Sequence, residues 1–565
     1  MNRQVHSRFH PDPRSKLALF VAACLCVFSG MTRMQEIVLL LLCIVVLLLS
    51  KKAGRAVAVV LLFLLMTLGD QLLVSRLSGV AQYAVLLICH VLRFLLPLAV
   101  SFYLVTKTVT VGAYISAFTA MRLPGVVVIP VAVMFRFVPT MTEEWQAVSQ
   151  ALRLRRLGAT GINSILHPMR LLEYLLVPFL LQCSEVVDEM SAAVMARGFD
   201  KDRPRTNVPG AQTGRTGRGF DPCVTGGHSM ESGILKGERP DDSVSGGFLY
   251  IFISGVRGSA ESQPGPHFIH IPKGQCVVLC GKSGCGKTTL LRIINGLACH
   301  FYQGRLEGDI SVSGMVPASA SLPELARVVG SVFQNPRTQF FHTDTTGELA
   351  FQLENQNMPR EQMRRRLDQV VTELGLESLM ERSIFALSGG EKQQIACGSV
   401  YASMPQVVVL DEPSSNLDLE SIRKLRGLLE TMKASGVTIL VSEHRLWYLH
   451  GLADRYLLLE SGKLRGDLTP EQMTALDPQT RQALGLRAVD RWQLFSLCPQ
   501  ARPKEWMEPG LELRSLFCLR GRREVLHISH LQIPKGAIVA VVGRNGAGKS
   551  TLLLTLSGLL RFREQ

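Results

Sequence analysis

The chain has 565 residues, 47% of them hydrophobic, and a formal net charge of +15. At roughly 100 to 200 residues per domain this length excludes a single ordinary core. Charge-free apolar runs crowd into the first 190 residues and charged residues dominate the remainder, which divides the chain into a membrane part and a water-soluble part. The thirteen cysteines lack metal-ligand spacing, which fits a reduced cytosolic setting rather than a disulfide framework. No basic and aromatic interleaving appears, so nucleic acid is not an expected partner.

The first apolar run, LALFVAACLCVFSGM from Leu17, follows Arg3, Arg8, Arg14 and Lys16 and precedes Arg33. No small-residue cleavage site follows it, so it reads as a membrane helix rather than a signal peptide. EIVLLLLCIVVLLLS then leads to Lys51, Lys52 and Arg55, and AVAVVLLFLLMTLGDQLLV starts at Ala56. A fourth run, from Gly79 to Thr106, carries Arg93 and ends at Lys107. With the basic clusters placed inside, this predicts about four spans of a lipid bilayer with both ends cytoplasmic. Several runs are shorter than the roughly 20 residues a perpendicular span needs.

After Lys107 charges mix with apolar faces, as in amphipathic helices lying on a membrane or a partner. One such segment ends in Arg153, Arg155 and Arg156, the other in MSAAVMARGFD with Arg197. A solvated basic helix end that satisfies the helix dipole would read the same way. Residues 205–247 are rich in glycine, serine and charge and read as a flexible linker.

QCVVLCGKSGCGKTTLLRIINGL then reads as apolar strand, glycine loop and helix. Gly281, Gly286, Lys287 and Thr288 satisfy the phosphate-loop spacing, and Ser283, Gly284, Cys285 and Thr289 belong to the same cradle. Consecutive amides and a helix N-terminus favour phosphate there, Lys287 would reach the β and γ phosphates, and Thr288 would ligate magnesium. In VVVLDEP, Asp411 is placed to hold the magnesium shell and Glu412 to polarise the attacking water. LSGGEKQQ begins at Leu387 and puts Ser388, Gly389 and Gly390 at a helix start that can offer amides to a second phosphate.

These residues resemble the ATP-binding cassette (ABC) family. The phosphate loop, Gln334 in VFQNP, LSGGEKQ, VVVLDEP, Ser415 to Asp418 and His444 in VSEH follow the family's order across residues 271 to about 470. The resemblance implies ATP and Mg2+ as ligands, Gln334 as a sensor of magnesium and the γ phosphate, and His444 as a γ-phosphate contact. It places Asp418 in the nucleotide site. Cys285 stands where serine is common. RFVPTMTEEWQAVSQALRLRRLG and MSAAVMARGFD look like the transmembrane T component of energy-coupling-factor importers. There, arginine-bearing helix ends dock on the ATPases, a part that falls here to Arg155, Arg156 and Arg197.

IPKGQCVVLCGKSGCGKTTLLRIINGL recurs as IPKGAIVAVVGRNGAGKSTLLLTLSGL, with Gly543, Asn545, Gly546, Gly548, Lys549, Ser550 and Thr551 in the second loop. A repeat at this spacing reads as the start of a second cassette that is cut short. The expected fold is therefore multi-domain: an all-α transmembrane T-type domain (1–204), a linker (205–247), an α/β P-loop ATPase (248–485), and the N-terminal part of a second (486–565). Tyr250 and Phe252 are the aromatic candidates for stacking on adenine, and Leu519 takes that place in the second cassette.

The function expected from this resemblance is ATP-driven import of a micronutrient at the plasma membrane, with the ATPases cytoplasmic and the chain multi-pass. A separate substrate-binding membrane subunit would choose the cargo. Cassettes work in facing pairs, so Ser388 and Gly390 could face Lys549, and a second ATPase or a second copy of this chain is an expected partner. The alternatives are an ATP-driven exporter and a truncated nucleotide-binding scaffold without turnover.

Overall fold

The computed structural model describes residues 13–29, 32–49, 53–72, 80–108, 125–154, 172–200, 249–253, 267–302, 306, 308–490, 509–520 and 523–558. They fall in two compact units, one within Met1–Val133 and Pro209–Asp241, the other within Met134–Val208 and Asp242–Gln565. The expected linker and Arg155 and Arg156 lie outside the described residues.

The first unit is helical: α1 (Pro13–Ser29), α2 (Arg33–Leu49), α3 (Ala53–Leu72) and α4 (Val80–Thr108). Leu39, Leu40, Cys43 and Leu47 of α2 recur at helical spacing and are buried with Leu96, Val100 and Leu104 of α4. The Arg93 Nε in α4 lies 3.0 Å from Glu36 in α2, both side chains buried, so the charge inside the fourth apolar run is paired. The opposite face of α2, with Ile37, Val38, Leu41, Leu42 and Val45, is exposed and apolar.

The expectation of about four spans meets a correction here: among the described residues no helix is long and apolar enough to cross a membrane. At 17 residues each, α1 and α2 reach only about 25 Å, against a hydrocarbon core of about 30 Å. Gly69, Asp70 and Gln71 fall in the last turn of α3, and α4 carries Arg93 and Pro97 in its interior.

The second unit contains α5 (Gly125–Leu154) from Met134 on, and α6 (Val177–Ala196). Trp145 of α5 packs edge-on against Phe179 of α6 with ring centroids 5.2 Å apart. An α/β body follows. Its six-stranded sheet has the order β5 (Val329–Val332), β6 (Val407–Asp411), β7 (Thr438–Ser442), β3 (Cys276–Cys280), β8 (Arg455–Glu460), β9 (Lys463–Leu468). All neighbours are parallel except β8 and β9. The strands β3, β5 and β7 are buried throughout, as strands covered by helices on both faces must be. A small antiparallel sheet, β2 (His267–Ile271), β1 (Leu249–Ile253), β4 (Ile310–Val312), precedes and flanks it.

The helices that matter to function are α7 (Lys287–Ile294), α8 (Leu322–Val328), α9 (Thr345–Asn355), α10 (Arg360–Leu374), α11 (Gly389–Ala402) and α12 (Leu419–Ala434). The chain then forms the hairpin β10 (Pro509–Arg520) and β11 (Arg523–Pro534) and ends its described part with α13 (Lys549–Leu556).

Candidate functional site

Parallel sheets place their ligands at the carboxyl ends of the strands. The phosphate loop leaves the end of β3, Gln334 follows β5, Asp411 ends β6 and is followed by Glu412, and His444 follows β7. The fold thus gathers at one sheet edge residues that are remote in sequence, Lys287 and His444 being 157 positions apart.

Gly281 has φ +143°, and a Cβ there would sit 2.1 Å from the Leu459 carbonyl oxygen, so only glycine lets the loop pass β8. Lys287, 5% exposed, folds back along the loop: Nζ donates to the carbonyls of Gly281 and Lys282, both at 3.1 Å, and lies 3.8 Å from Cys285 Sγ. It also lies 3.4 Å from His444 Nε2. The same His444 nitrogen is 3.2 Å from Glu412 Oε1, and Gln334 Nε2 donates to Glu412 Oε2 at 3.2 Å. Lys287, His444, Glu412 and Gln334 therefore form one connected group, although each comes from a different strand end. Glu412 holds a left-handed backbone (φ +42°), an uncommon conformation for a non-glycine residue and a frequent one at functional sites.

Asp411 Oδ1 is buried without a hydrogen-bond partner, as is Ser442 Oγ opposite it in the β6–β7 register. A buried carboxylate oxygen left unpaired is costly, and a hard cation would satisfy it. With the Thr288 hydroxyl at the first turn of α7 and Gln334 beside Glu412, the donors are all oxygen and fit Mg2+. Ser283 and Gly284 are exposed in the loop, Cys285 is buried, and Gly286 caps α7. Thr289 is exposed on that helix.

Ser388 is the N-cap of α11. Its Oγ accepts from the Glu391 amide at 3.3 Å and its amide donates to Glu391 Oε2 at 2.7 Å, a reciprocal cap that starts the helix at Gly389. Gly390 lies against α12, where an added Cβ would meet Ser421 Oγ at 2.1 Å.

The second loop repeats the first in detail: Lys549 Nζ donates to the carbonyls of Gly543 (2.6 Å) and Arg544 (2.7 Å), and Gly548 caps α13 as Gly286 caps α7. Gly546 lies in the same loop, and Ser550 and Thr551 in the first turn of α13. The segment before it differs. Residues 537–542 form no strand, and Ile538 and Val542 are exposed, whereas the matching β3 is buried between β7 and β8. The second loop meets the first cassette at Asp418: the Asn545 amide donates to Asp418 Oδ2 at 2.8 Å, and Arg544 pairs with Glu420. Asp418 Oδ1 accepts from the Ser421 amide at 2.9 Å, so one carboxylate ties the second loop to the start of α12, beside Gly390. The Asn545 amide, with Ser421, pulls the Asp418 carboxyl down to about 2.

Arg197 lies at the end of α6. The Phe199 amide donates to the Val194 carbonyl (3.4 Å) and the Gly198 amide to the Met195 carbonyl (3.0 Å), with Gly198 at φ +70°, the double bond pattern of a glycine-terminated helix. This turn presses Arg197 into the cassette, where it is 1% exposed. Its guanidinium pairs with Glu348 of α9 and donates to Ser399 Oγ of α11 at 2.7 Å, and its carbonyl accepts from Asn355 at 3.1 Å. Glu348, also fully buried, accepts the amides of Phe341 and His342, both at 2.8 Å. Thr140, Glu144 and Val186 of α5 and α6 line a cleft with Asn335, Arg337 and Thr338, which directly follow Gln334.

Glu348 and Ser399 lie 151 and 202 positions from Arg197 and belong to none of the motifs legible in the sequence. The side chains of Tyr250 and Phe252 lie outside the described residues.

The family model described as ABC transporter matches residues 268–415 and 526–564, and the one described as cobalt transport protein matches residues 4–208. A putative ABC transporter ATP-binding protein of Treponema denticola is 45% identical over 294 residues, 52% of this chain and 60% of that protein. One from Sulfurisphaera tokodaii is 33% identical over 296 residues, covering 52% of this chain and 59% of the relative. The chain thus spans about 60% of the length of these curated relatives. A solved structure, cbiO1 from Clostridium perfringens, described as part of the ABC transporter complex cbiONQ, aligns at 25% identity over 39% of this chain and 86% of that one, with a TM-score of 0.34.

Proposed function

We propose that the chain is the energy-coupling module of an ATP-driven importer, a T-type membrane part joined to an ABC ATPase. The observation that carries this reading is the connected group of Lys287, His444, Glu412 and Gln334 beside the unpaired Asp411 oxygen. Lys287 gives up its carbonyl contacts to hold the β and γ phosphates of ATP, and His444 contacts the γ phosphate. Glu412 accepts a proton from the attacking water, and Gln334 and His444 hold its two oxygens in place. When bound, Mg2+ offsets phosphate charge, and Thr288, Asp411 and Gln334 are the residues that would hold it.

Coupling to the membrane part runs through Arg197, which is seated between α9 and α11 of the ATPase, and through the cleft next to Gln334. Arg155 and Arg156 belong to the same proposal. The exposed apolar face of α2 and the match over residues 4–208 support residence in the plasma membrane, multi-pass, with the ATPase cytoplasmic. The cargo is a micronutrient delivered by a separate substrate-binding membrane subunit. The opposing cassette is supplied by a second ATPase or a second copy of this chain.

The test is ATP hydrolysis by the full chain in lipid nanodiscs. Glu412→Gln lowers turnover at least a hundredfold, the scale of a lost general base, while ATP binding persists. Equal turnover in that variant refutes the mechanism, and a chain that binds ATP without turning it over supports the scaffold reading instead.

A further inference from the structure

The segment after β7 carries more than His444. Glu443 is 2% exposed, and its carboxylate accepts four hydrogen bonds. Oε1 takes the amides of His444 (2.9 Å) and Arg445 (3.1 Å), and Oε2 takes the Ser414 amide (3.3 Å) and the Tyr448 hydroxyl (2.9 Å). The Glu443 amide donates to the Leu279 carbonyl at 3.1 Å, at the end of the strand that feeds the first phosphate loop. Arg445 grips the same 414–418 loop by its carbonyls: Nη1 donates to Ser414 and Leu417, both at 3.1 Å, and Nη2 to Ser415 at 3.3 Å. The two neighbours of His444 therefore hold one loop by its amide and its carbonyls, and the last residue of that loop is Asp418, bonded to Asn545.

We propose that Glu443 and Arg445 are positioning residues that clamp the 414–418 loop to His444, so that phosphate engagement at the first nucleotide loop is transmitted through Asp418 to the second. This rests on the reading of His444 as a phosphate contact. The physical basis is the number and direction of the bonds. A planar guanidinium engages several carbonyls at once, whereas an ammonium is a single compact charge that cannot reproduce the fork. Loop and switch residue then shift as one body, and a shift of His444 toward phosphate carries Asp418 with it.

The experiment compares the full chain with Arg445→Ala, Arg445→Lys and Glu443→Gln. Lys549→Ala is present in all four samples, so that exchange at the 414–418 loop reports the first site alone. Hydrogen exchange of the 414–418 amides is followed with and without a non-hydrolysable MgATP analogue, and kcat and KM for ATP are measured in the Lys549-intact proteins. The unaltered loop gains protection on binding. Arg445→Ala binds the analogue within about threefold yet gains none, and its kcat falls at least about tenfold with KM within about threefold. Arg445→Lys and Glu443→Gln fall between, which separates lost positioning from lost folding. Full nucleotide-induced protection in Arg445→Ala overturns the proposal, as does a kcat unchanged by every variant. A chain that binds the analogue but does not hydrolyse ATP removes the proposed turnover while the exchange comparison still decides the clamp. One that does not bind at the first loop removes both.

Discussion

Replacing Arg197 by alanine tests the seat of α6 directly. The variant leaves Glu348 fully buried, with only the Phe341 and His342 amides to compensate its charge. Removing one partner of a buried pair costs about 3–5 kcal/mol, and the two remaining amide bonds put this case near the lower end, about 3 kcal/mol. At about 1.4 kcal/mol per tenfold, the last turn of α6 opens on the order of a hundredfold more often. Hydrogen exchange at the Gly198 and Phe199 amides, which close that turn, reads this out. The double variant Arg197→Met with Glu348→Gln removes both charges and recovers at least half of the lost protection, because a buried pair replaced as a unit is near neutral. Exchange of these two amides within about threefold of the unaltered chain would refute the argument that the ion pair holds the helix.

Gly390→Ala drives a Cβ into Ser421, an overpacking of about 1–3 kcal/mol that lowers the melting temperature, and adding Ser421→Gly restores it. His342 is fully buried: burial, the largest influence, lowers its pKa, but Glu354, through a hydrogen bond and charge, with Glu348 and Asp344, outweighs it and leaves it raised. Its stabilising charge is fully present below the ordinary value of about 6.5 and is lost as pH rises through the raised folded value. Melting temperatures measured across that window fall with pH in the unaltered chain and flatten in His342→Gln; equal slopes would exclude His342 as the titrating group. Alkylation of Cys285, which is 4% exposed, is slow, blocks nucleotide binding once it occurs, and is slowed further by MgATP. Labelling at the same rate with and without MgATP would contradict this.

The nucleotide loops were legible because their chemistry is local. Glycines, a lysine and a helix start within a single short loop impose the same carbonyl contacts on Lys287 and on Lys549, even where residues 537–542 form no strand. The strand there depends on neighbours in a sheet, which local sequence does not supply. The arginine at the end of α6 was visible as a charge after an apolar helix, but its partners Glu348 and Ser399 were not, since tertiary packing alone brings them to it. Glu443 stood next to His444 in the sequence and carried no signal of its own; its importance lies in the four donors that surround it. The apolar runs of the first unit were plain to read, yet the lengths of α1 and α2 fall short of what those runs suggested.

A buried arginine at the tip of a helix also has a mechanical consequence. With 20 residues, α6 is about 30 Å long. Held at Arg197, it acts as a lever whose pivot is the ATPase, and a tilt of about 10° at that pivot sweeps the far end through about 5 Å. Small rearrangements around Glu348 are thereby geared up into a stroke of the size of a side chain.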